Sequence, residues 1–124
     1  MSSEPIGGAG LAGRYAAALF DLADAGKELD SVSNDLLSLD EMIDGSDDLK
    51  RLLQSPVISR DDQGRAIGAI GEIAELGQLT RNFVGLVAQN RRLFALQGMI
   101  RAYHAILSAR RGEVTAEVTS ATPL

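Results

Sequence analysis

The stretch LTRNFVGLVAQNRRLFAL, residues 79–96, contains two apolar patterns separated by a polar tripeptide. The first pattern has the spacing of one face of an α-helix and consists of Leu79, Phe83, Leu86 and Val87. Asn90 follows it, and because Asn tolerates the left-handed conformation that closes a helix, we expect the helix to end there. Leu93 and Phe94 restart an apolar pattern immediately. The stretch therefore predicts two helices that meet at a tight corner.

The composition favours a single helical domain. A length of 124 residues suits one domain, and a hydrophobic share of 45% is enough for a packed core. Only 4% of the residues are aromatic, so the core must be aliphatic, which favours helices over a β-sandwich. Because the sequence contains no Cys, disulfides, thiol catalysis and Cys-based metal sites are excluded.

Charge is unevenly distributed along the chain. Residues 1–62 hold 13 acidic and 5 basic side chains, a balance of −8, whereas residues 63–124 hold 4 and 7, a balance of +3. The overall charge of −5 disfavours non-specific nucleic-acid binding. No apolar run approaches the roughly 18 residues of a membrane span, and residues 1–10 lack the basic start of a secretion signal. We therefore expect a soluble intracellular protein without direct membrane insertion.

The first predicted helix, residues 11–25, carries two apolar stripes where a surface helix needs only one. The first stripe comprises Leu11, Tyr15, Ala18, Leu22 and Ala25, and the second comprises Ala12, Ala16, Leu19 and Ala23. Two stripes indicate either a central helix or a helix that also faces a partner. The preceding residues 1–10, MSSEPIGGAG, have no period, and we interpret them as a flexible tail.

Three further helices, the second, third and fourth, complete the predicted six-helix bundle. The second (residues 27–43) and the sixth (residues 92–111) repeat apolar residues at spacings of 3 and 4, which is typical of helical bundles. These seam residues are Leu29, Val32, Leu36, Leu39 and Ile43 in the second helix and Leu93, Leu96, Ile100, Tyr103 and Leu107 in the sixth. Ser46 and Ser59 are expected to cap the short third helix and the fourth helix. The inward residues of the fourth helix are expected to be Ile67, Ile70 and Ile73.

The pattern changes after Gly112, which we expect to cap the sixth helix. Apolar Val114, Ala116 and Val118 alternate with Thr115, Glu117 and Thr119, and this period of two predicts a β-strand. A single strand has no neighbour to pair with, so we expect it to begin a second domain that is missing after Leu124. The predicted organisation is a flexible tail (1–10), an all-α six-helix bundle (11–112) and the start of a truncated C-terminal domain (113–124).

No set of side chains indicates catalysis. His104 is the only His, and it has no neighbours of the kind that build a zinc site or a catalytic triad. Arg92, Arg101 and Arg110 are nine residues apart, so they do not share a helix face, and no aromatic platform accompanies them for RNA. We therefore expect no catalytic residue, no metal and no cofactor. A generic helical adaptor or RNA-binding module is the alternative function.

Three segments resemble the δ subunit of bacterial F-type ATP synthase, the counterpart of the mitochondrial oligomycin-sensitivity-conferring protein (OSCP). The segment GRYAAALFDLA (13–23) is similar to the family's opening Arg-Tyr-Ala-x-Ala-x-Phe. The segment NFVGLVAQNRRL (82–93) is similar to its Asn-Phe-apolar-x-Leu-apolar-x-x-Asn-Gly/Arg-Arg-Leu. The segment RRGEVTAEVTSATPL (110–124) is similar to the Arg-Gly-x-apolar-x-Ala-x-Val-x-Ser-Ala entry to its second domain. The resemblance covers residues 11–124 in order.

The resemblance implies a non-catalytic stator subunit of the peripheral stalk. The family's N-terminal domain is a six-helix bundle that binds the N-terminal helices of the α subunits, so that the catalytic head is held against rotary torque during proton-driven ATP synthesis. One α-subunit segment would dock as an amphipathic helix in a groove between helices one and five. We expect that groove to be lined by Tyr15, Ala16, Leu19, Ala23, Val84, Val87, Ala88 and, at the corner, Arg92. Phe83 and Leu86 are expected to anchor the fifth helix to the bundle instead.

The resemblance also implies further partners and a location. The family's second domain binds the b-type stalk subunits, and because we expect that domain to be missing, we assign no stalk contact to residues 1–124. The implied location is the periphery of the cytoplasmic face of the bacterial inner membrane.

Overall fold

Six α-helices and one 3-10 turn form the part of the chain that the structure describes. The computed structural model describes the backbone of residues 7–121 and the side chains of residues 10–112. The helices are α1 (Gly7–Ala25), α2 (Leu29–Asp44), α3 (Asp47–Gln54), α4 (Arg60–Ile73), α5 (Gln78–Gln89) and α6 (Leu96–Ala121). The 3-10 turn, Leu93–Ala95, joins α5 to α6 at the predicted corner. The predicted all-α fold is confirmed within these residues.

The seam residues of α2 and α6 lie in the core, as their spacing predicts. Those exposed by 2% or less are Val32, Leu36, Leu39, Ile43, Leu93, Leu96, Ile100 and Tyr103. The Tyr103 hydroxyl donates a hydrogen bond to the Leu29 carbonyl oxygen at 2.8 Å. Burial and, to a smaller extent, the Asp30 carboxylate raise the pKa of Tyr103 to about 12, although Arg111 opposes the rise. The phenol therefore stays neutral at physiological pH and joins α6 to α2.

Asp35 on α2 fixes the N-terminal end of α5. Its Oδ2 accepts hydrogen bonds from the Gly77 backbone N–H at 2.9 Å and from the Thr80 hydroxyl at 2.7 Å. Gly77 is the N-cap residue of α5 and has no side chain that could accept from the first turn. Asp35 instead accepts the backbone N–H of Gly77 itself and the hydroxyl of Thr80 in the first turn, and these contacts position α5 against α2.

The strand predicted at residues 114–119 is wrong, because α6 continues as one helix to Ala121. Gly112 does not cap the helix. A lone strand would leave its backbone N–H and C=O groups unpaired, whereas a helix pairs them within its own segment. Within residues 7–121 no strand is present to pair with this segment, and the alternating pattern lies in the helix. Residues 122–124 lie outside the described residues.

Two smaller differences concern α1 and α4. Helix α1 begins at Gly7, four residues before the predicted start, and residues 1–6 of the predicted tail lie outside the described residues. In α4, Ile67 is buried and Ile70 packs at the edge of the core, but Ile73 is 72% exposed. Repeated steps of three fall short of a full helical turn, so Ile73 is rotated by about 120° from Ile67. The prediction that Ile73 faces inward is wrong for this reason.

Three helices end on a left-handed residue that is not glycine. These residues are Lys27, Glu75 and Arg91, with φ of 58°, 57° and 59°. After α5, the Arg91 N–H donates to the Ala88 carbonyl at 3.0 Å and the Arg92 N–H donates to the Val87 carbonyl at 2.9 Å. This pair of bonds is the Schellman motif, which satisfies the last carbonyls of a helix. Asn90 has a φ of −86°, so the predicted left-handed position lies one residue too early.

The side chain of Arg91 ties this corner to the connection between α3 and α4. Its Nη1 donates to the Ile58 carbonyl at 2.9 Å and lies 3.4 Å from Gln63 Oε1, and its Nη2 donates to the Pro56 carbonyl at 3.4 Å. Gln63 is only 4% exposed and donates in turn to the Leu52 carbonyl at 3.1 Å. Arg91 therefore offsets its backbone strain with side-chain bonds.

We expect Glu75→Gly to stabilise the bundle and Arg91→Gly to destabilise it. Glycine removes the strain of the left-handed conformation at either position but adds conformational entropy to the unfolded chain. For Glu75 the net effect should raise the free energy of unfolding by about 1 kcal/mol. At Arg91 the same relief is outweighed by the loss of the part-buried, charge-assisted bond to the Ile58 carbonyl oxygen, worth about 1.5–3 kcal/mol, together with the more exposed bond to the Pro56 carbonyl. Urea unfolding of both variants measures the two effects. If both variants change the free energy of unfolding in the same direction, the conclusion that the side-chain bonds of Arg91 outweigh its backbone strain is wrong.

Candidate functional site

A groove of about 160 Å³ lies between α1 and α5. Its lining is apolar except for one side-chain amide and consists of Tyr15, Ala18, Leu19 and Leu22 from α1 and Leu79, Asn82, Phe83 and Leu86 from α5. Helix α1 packs mainly against α6, and α5 packs mainly against α4. Because α1 and α5 each pack mainly against another helix, they do not pack closely against each other, and a groove remains between them.

Two leucines at the mouth of the groove are accessible to solvent. Leu22 is 59% exposed and Leu86 is 52% exposed. Removing the remaining exposed surface of each from water would be worth about 1 kcal/mol. Other large apolar side chains are also exposed, namely Leu37, Val57, Ile73 and Phe94. None of these four lines the groove, so Leu22 and Leu86 are the exposed pair that shares it.

Polar contacts fix the side chains at both ends of the groove. The ring of Tyr15 packs edge-on against Phe83 with the centroids 6.5 Å apart, and Asn90 Nδ2 donates to the Tyr15 hydroxyl at 2.9 Å. On α5, Gln78 Nε2 donates to Asn82 Oδ1 at 2.8 Å. These contacts hold the walls of the groove in place.

A larger hollow of about 600 Å³ lies at the connection between α3 and α4. Its lining includes the ion pair between Asp48 and Arg51, whose side chains are 91% and 72% exposed. Exposed ion pairs remain well hydrated and contribute little to binding or stability. The groove between α1 and α5 is the better candidate site, because its lining is continuous and almost wholly apolar.

The described residues offer little for catalysis or for metal binding. Among residues 10–112, no group of three His, Asp or Glu side chains is placed to hold a metal ion. His104 is half-buried, with Nε2 3.0 Å from Ser33 Oγ and Nδ1 3.0 Å from the Ile100 carbonyl oxygen. The Nε2 contact with Ser33 joins α6 to α2, whereas the Nδ1 contact lies within α6. No helix in the described part of the chain is long and apolar enough to cross a membrane.

Known proteins match this chain along nearly all of its length. The family model of the ATP synthase delta (OSCP) subunit matches residues 11–124. The chain belongs to the ATP synthase delta (OSCP) subunit family. The delta subunit of Parvibaculum lavamentivorans is 51% identical over 123 residues, which are 99% of this chain and 62% of that protein. The delta subunits of Rhodospirillum centenum and Rhodospirillum rubrum are each 52% identical over all 124 residues, which correspond to 67% of their own length.

Two of the segments that carry the resemblance to the delta family form the walls of the groove. The segment at 13–23 lies in α1, and the segment at 82–93 covers most of α5 and the corner that follows it. This chain spans less than two thirds of the Parvibaculum delta subunit. Both walls of the groove lie in residues that this chain shares with the delta family.

Most residues that were predicted to face a partner lie in the core instead. Those exposed by 2% or less are Ala16, Leu19, Ala23, Val84, Val87 and Ala88. Of these, Leu19 also forms part of the groove lining, and half-buried Tyr15 lines one end. Arg92 is exposed at the corner and does not line the groove.

The structure reverses the predicted faces of α1 and α5. On α1 the alanine-rich second stripe is buried, and the first stripe with Tyr15 and Leu22 borders the groove. On α5 the prediction that Leu86 anchors the helix is wrong, because its side chain lines the groove and is half exposed. Phe83 is 8% exposed and contacts both the groove and the core. Small side chains allow backbones to approach closely. The stripes of Ala and Val therefore pack inward, and the bulkier residues remain at the boundary.

Sequence reasoning missed six of the eight groove residues as a partner-facing set, namely Ala18, Leu22, Leu79, Asn82, Phe83 and Leu86. Five of them were recognised as apolar helix positions, but Phe83 and Leu86 were assigned to anchor the helix and the other three were not assigned to the groove. The available signal was side-chain size, since the second stripe of α1 holds three alanines and one leucine. Asn82 carried no apolar signal at all.

Proposed function

We propose that this chain is the head-binding part of a non-catalytic stator subunit of F-type ATP synthase. The groove between α1 and α5 would bind the N-terminal amphipathic helix of an α subunit. The single observation that carries this proposal is the apolar groove with two half-exposed leucines, in a chain that belongs to the delta (OSCP) family. Helix-in-groove docking requires such a receptor surface.

The bundle is suited to carry load from that groove. Helix α1 forms one wall and packs along α6, so a force on the docked helix passes directly into the longest helix of the described chain. At the far end, Arg110 pairs with Asp24 at 3.1 Å and lies over the Phe20 ring at 5.4 Å, and Arg111 pairs with Asp30. In this proposal the domain holds the catalytic head against the torque of rotation during proton-driven ATP synthesis.

The same proposal assigns the other partners and the location. The b-type stalk subunits would be bound outside the bundle of residues 11–112. The subunit would lie at the periphery of the cytoplasmic face of the bacterial inner membrane as part of the synthase. It would act without a cofactor, a metal or a catalytic residue of its own.

A titration tests the proposal directly. A fluorescently labelled peptide of the α-subunit N-terminus from the same organism should bind this chain saturably at a ratio of one to one. The anisotropy of the label measures binding, and a labelled RNA oligomer serves as the competing ligand class. Absence of peptide binding, or salt-sensitive binding of RNA alone, would contradict the proposal and favour an RNA-binding module.

A further inference from the structure

Asn82 is the one side-chain amide in the lining of the groove, in which the Tyr15 hydroxyl is the other polar group. It is exposed on α5, three residues after Leu79 and four before Leu86, so it lies between two apolar contacts on the same helix face. Its Oδ1 already accepts a hydrogen bond from Gln78 Nε2 at 2.8 Å. Within residues 10–112, no other hydrogen bond involves its amide. Because Asn82 is exposed, its two N–H groups are accessible to solvent water.

An occupant of the groove changes the surroundings of this amide. A docked helix that covers Leu79 and Leu86 also covers Asn82, which lies between them, and removes the water from its N–H groups. Buried donors without an acceptor are costly, because they lose their bonds to water and gain nothing. A wholly apolar occupant would therefore bind less tightly than one that brings an oxygen acceptor to this point.

We propose that Asn82 selects a helix that carries a hydrogen-bond acceptor one turn away from its apolar anchor. The acceptor would be the oxygen of a side-chain amide, hydroxyl or carboxylate, and its anchor would contact Leu22 and Leu86. This inference rests on the proposed function, and it adds that Asn82 sets the register of the docked helix. Gln78 acts as a positioning residue, because its bond to Oδ1 leaves the Asn82 N–H groups free for the occupant.

The test compares Asn82→Leu and Asn82→Ala with Gln89→Ala, an exposed polar position at the end of α5 outside the groove lining. The probe is the labelled peptide of the α-subunit N-terminus. We expect both Asn82 variants to bind it about tenfold more weakly, which is the scale of one lost hydrogen bond, and Gln89→Ala to bind as the wild type does. Weaker binding of Asn82→Leu is diagnostic, because a merely hydrophobic groove would bind more tightly with Leu at this position.

A peptide series locates the acceptor. Each polar residue of the peptide is replaced in turn by Ala, and its affinity is measured for the wild type and for Asn82→Ala. One peptide position should weaken binding to the wild type and leave binding to Asn82→Ala unchanged, which identifies the partner of Asn82. Thermal melts of both variants should match the wild type, since the side chain is exposed.

The outcomes separate this inference from the proposed function. Wild-type protein that fails to bind the peptide overturns both. A second outcome is that the wild type binds the peptide, that Asn82→Leu binds it equally or more tightly, and that no peptide position is coupled to Asn82. This outcome overturns the role of Asn82 and leaves the docking groove in place.

Discussion

Replacing Val87 by Asp should strongly destabilise the bundle, whereas the same change at the neighbouring Leu86 should be tolerated. Val87 is 0% exposed and belongs to the hydrophobic core. An unpaired carboxylate at that position costs several kcal/mol in desolvation or in raised pKa, in addition to the lost packing. A loss of about 4–5 kcal/mol is a large fraction of the roughly 5–15 kcal/mol that stabilises a typical domain. Circular-dichroism melts measure the effect.

Leu86→Asp is the matched control for that result. Leu86 is 52% exposed, so its replacement keeps the carboxylate in water and should shift the melting temperature by only a few degrees. A cooperative melt of Val87→Asp close to that of the wild type would contradict the burial of Val87. A large drop in the melting temperature of Leu86→Asp would show that Leu86 belongs to the core.

Leu86→Asp should instead abolish most of the binding at the groove. The substitution removes an apolar contact and places a charge where the docked helix would exclude water. Together these changes should cost at least about 2 kcal/mol, or roughly 30-fold in the dissociation constant. Leu22→Asp on the opposite wall should have a similar effect, because Leu22 is 59% exposed at the same mouth. Anisotropy titrations with the labelled α-subunit peptide measure both.

Leu37→Asp provides the control for a surface leucine outside the groove. Leu37 is 48% exposed on α2, close to the exposure of Leu86, and it does not line the groove. Its variant should bind the peptide as the wild type does. Equal losses in all three variants would indicate a general effect of negative charge rather than a specific groove.

Much of the fold could be predicted from the sequence, because it depends on patterns that are local. The spacing of the seam residues in α2 and α6 predicted their burial, and the structure confirms it. Ser46 and Ser59 cap α3 and α4 as predicted, each accepting a backbone N–H three residues on at 3.1 Å. Each of these features is decided within one turn of helix or along one helix face.

The features that could not be predicted depend on contacts between distant segments. The choice of which stripe of α1 and α5 faces inward is made by the packing of α1 on α6 and of α5 on α4, and periodicity is the same for either choice. The polar tie from Asp35 to Gly77 and Thr80 joins residues more than 40 positions apart. The strand prediction failed for a related reason, since a strand needs a neighbour and α6 needs none.

The most direct test of the docking groove is a map of backbone amide shifts in isotope-labelled protein as the α-subunit N-terminal peptide is added. We expect the largest saturable shifts at Ala18, Leu22, Leu79, Asn82 and Leu86, with little change in α3 and at the connection between α3 and α4. Shifts confined to that connection, or the absence of any shift at saturating peptide, would contradict the assignment of the groove between α1 and α5 as the binding site.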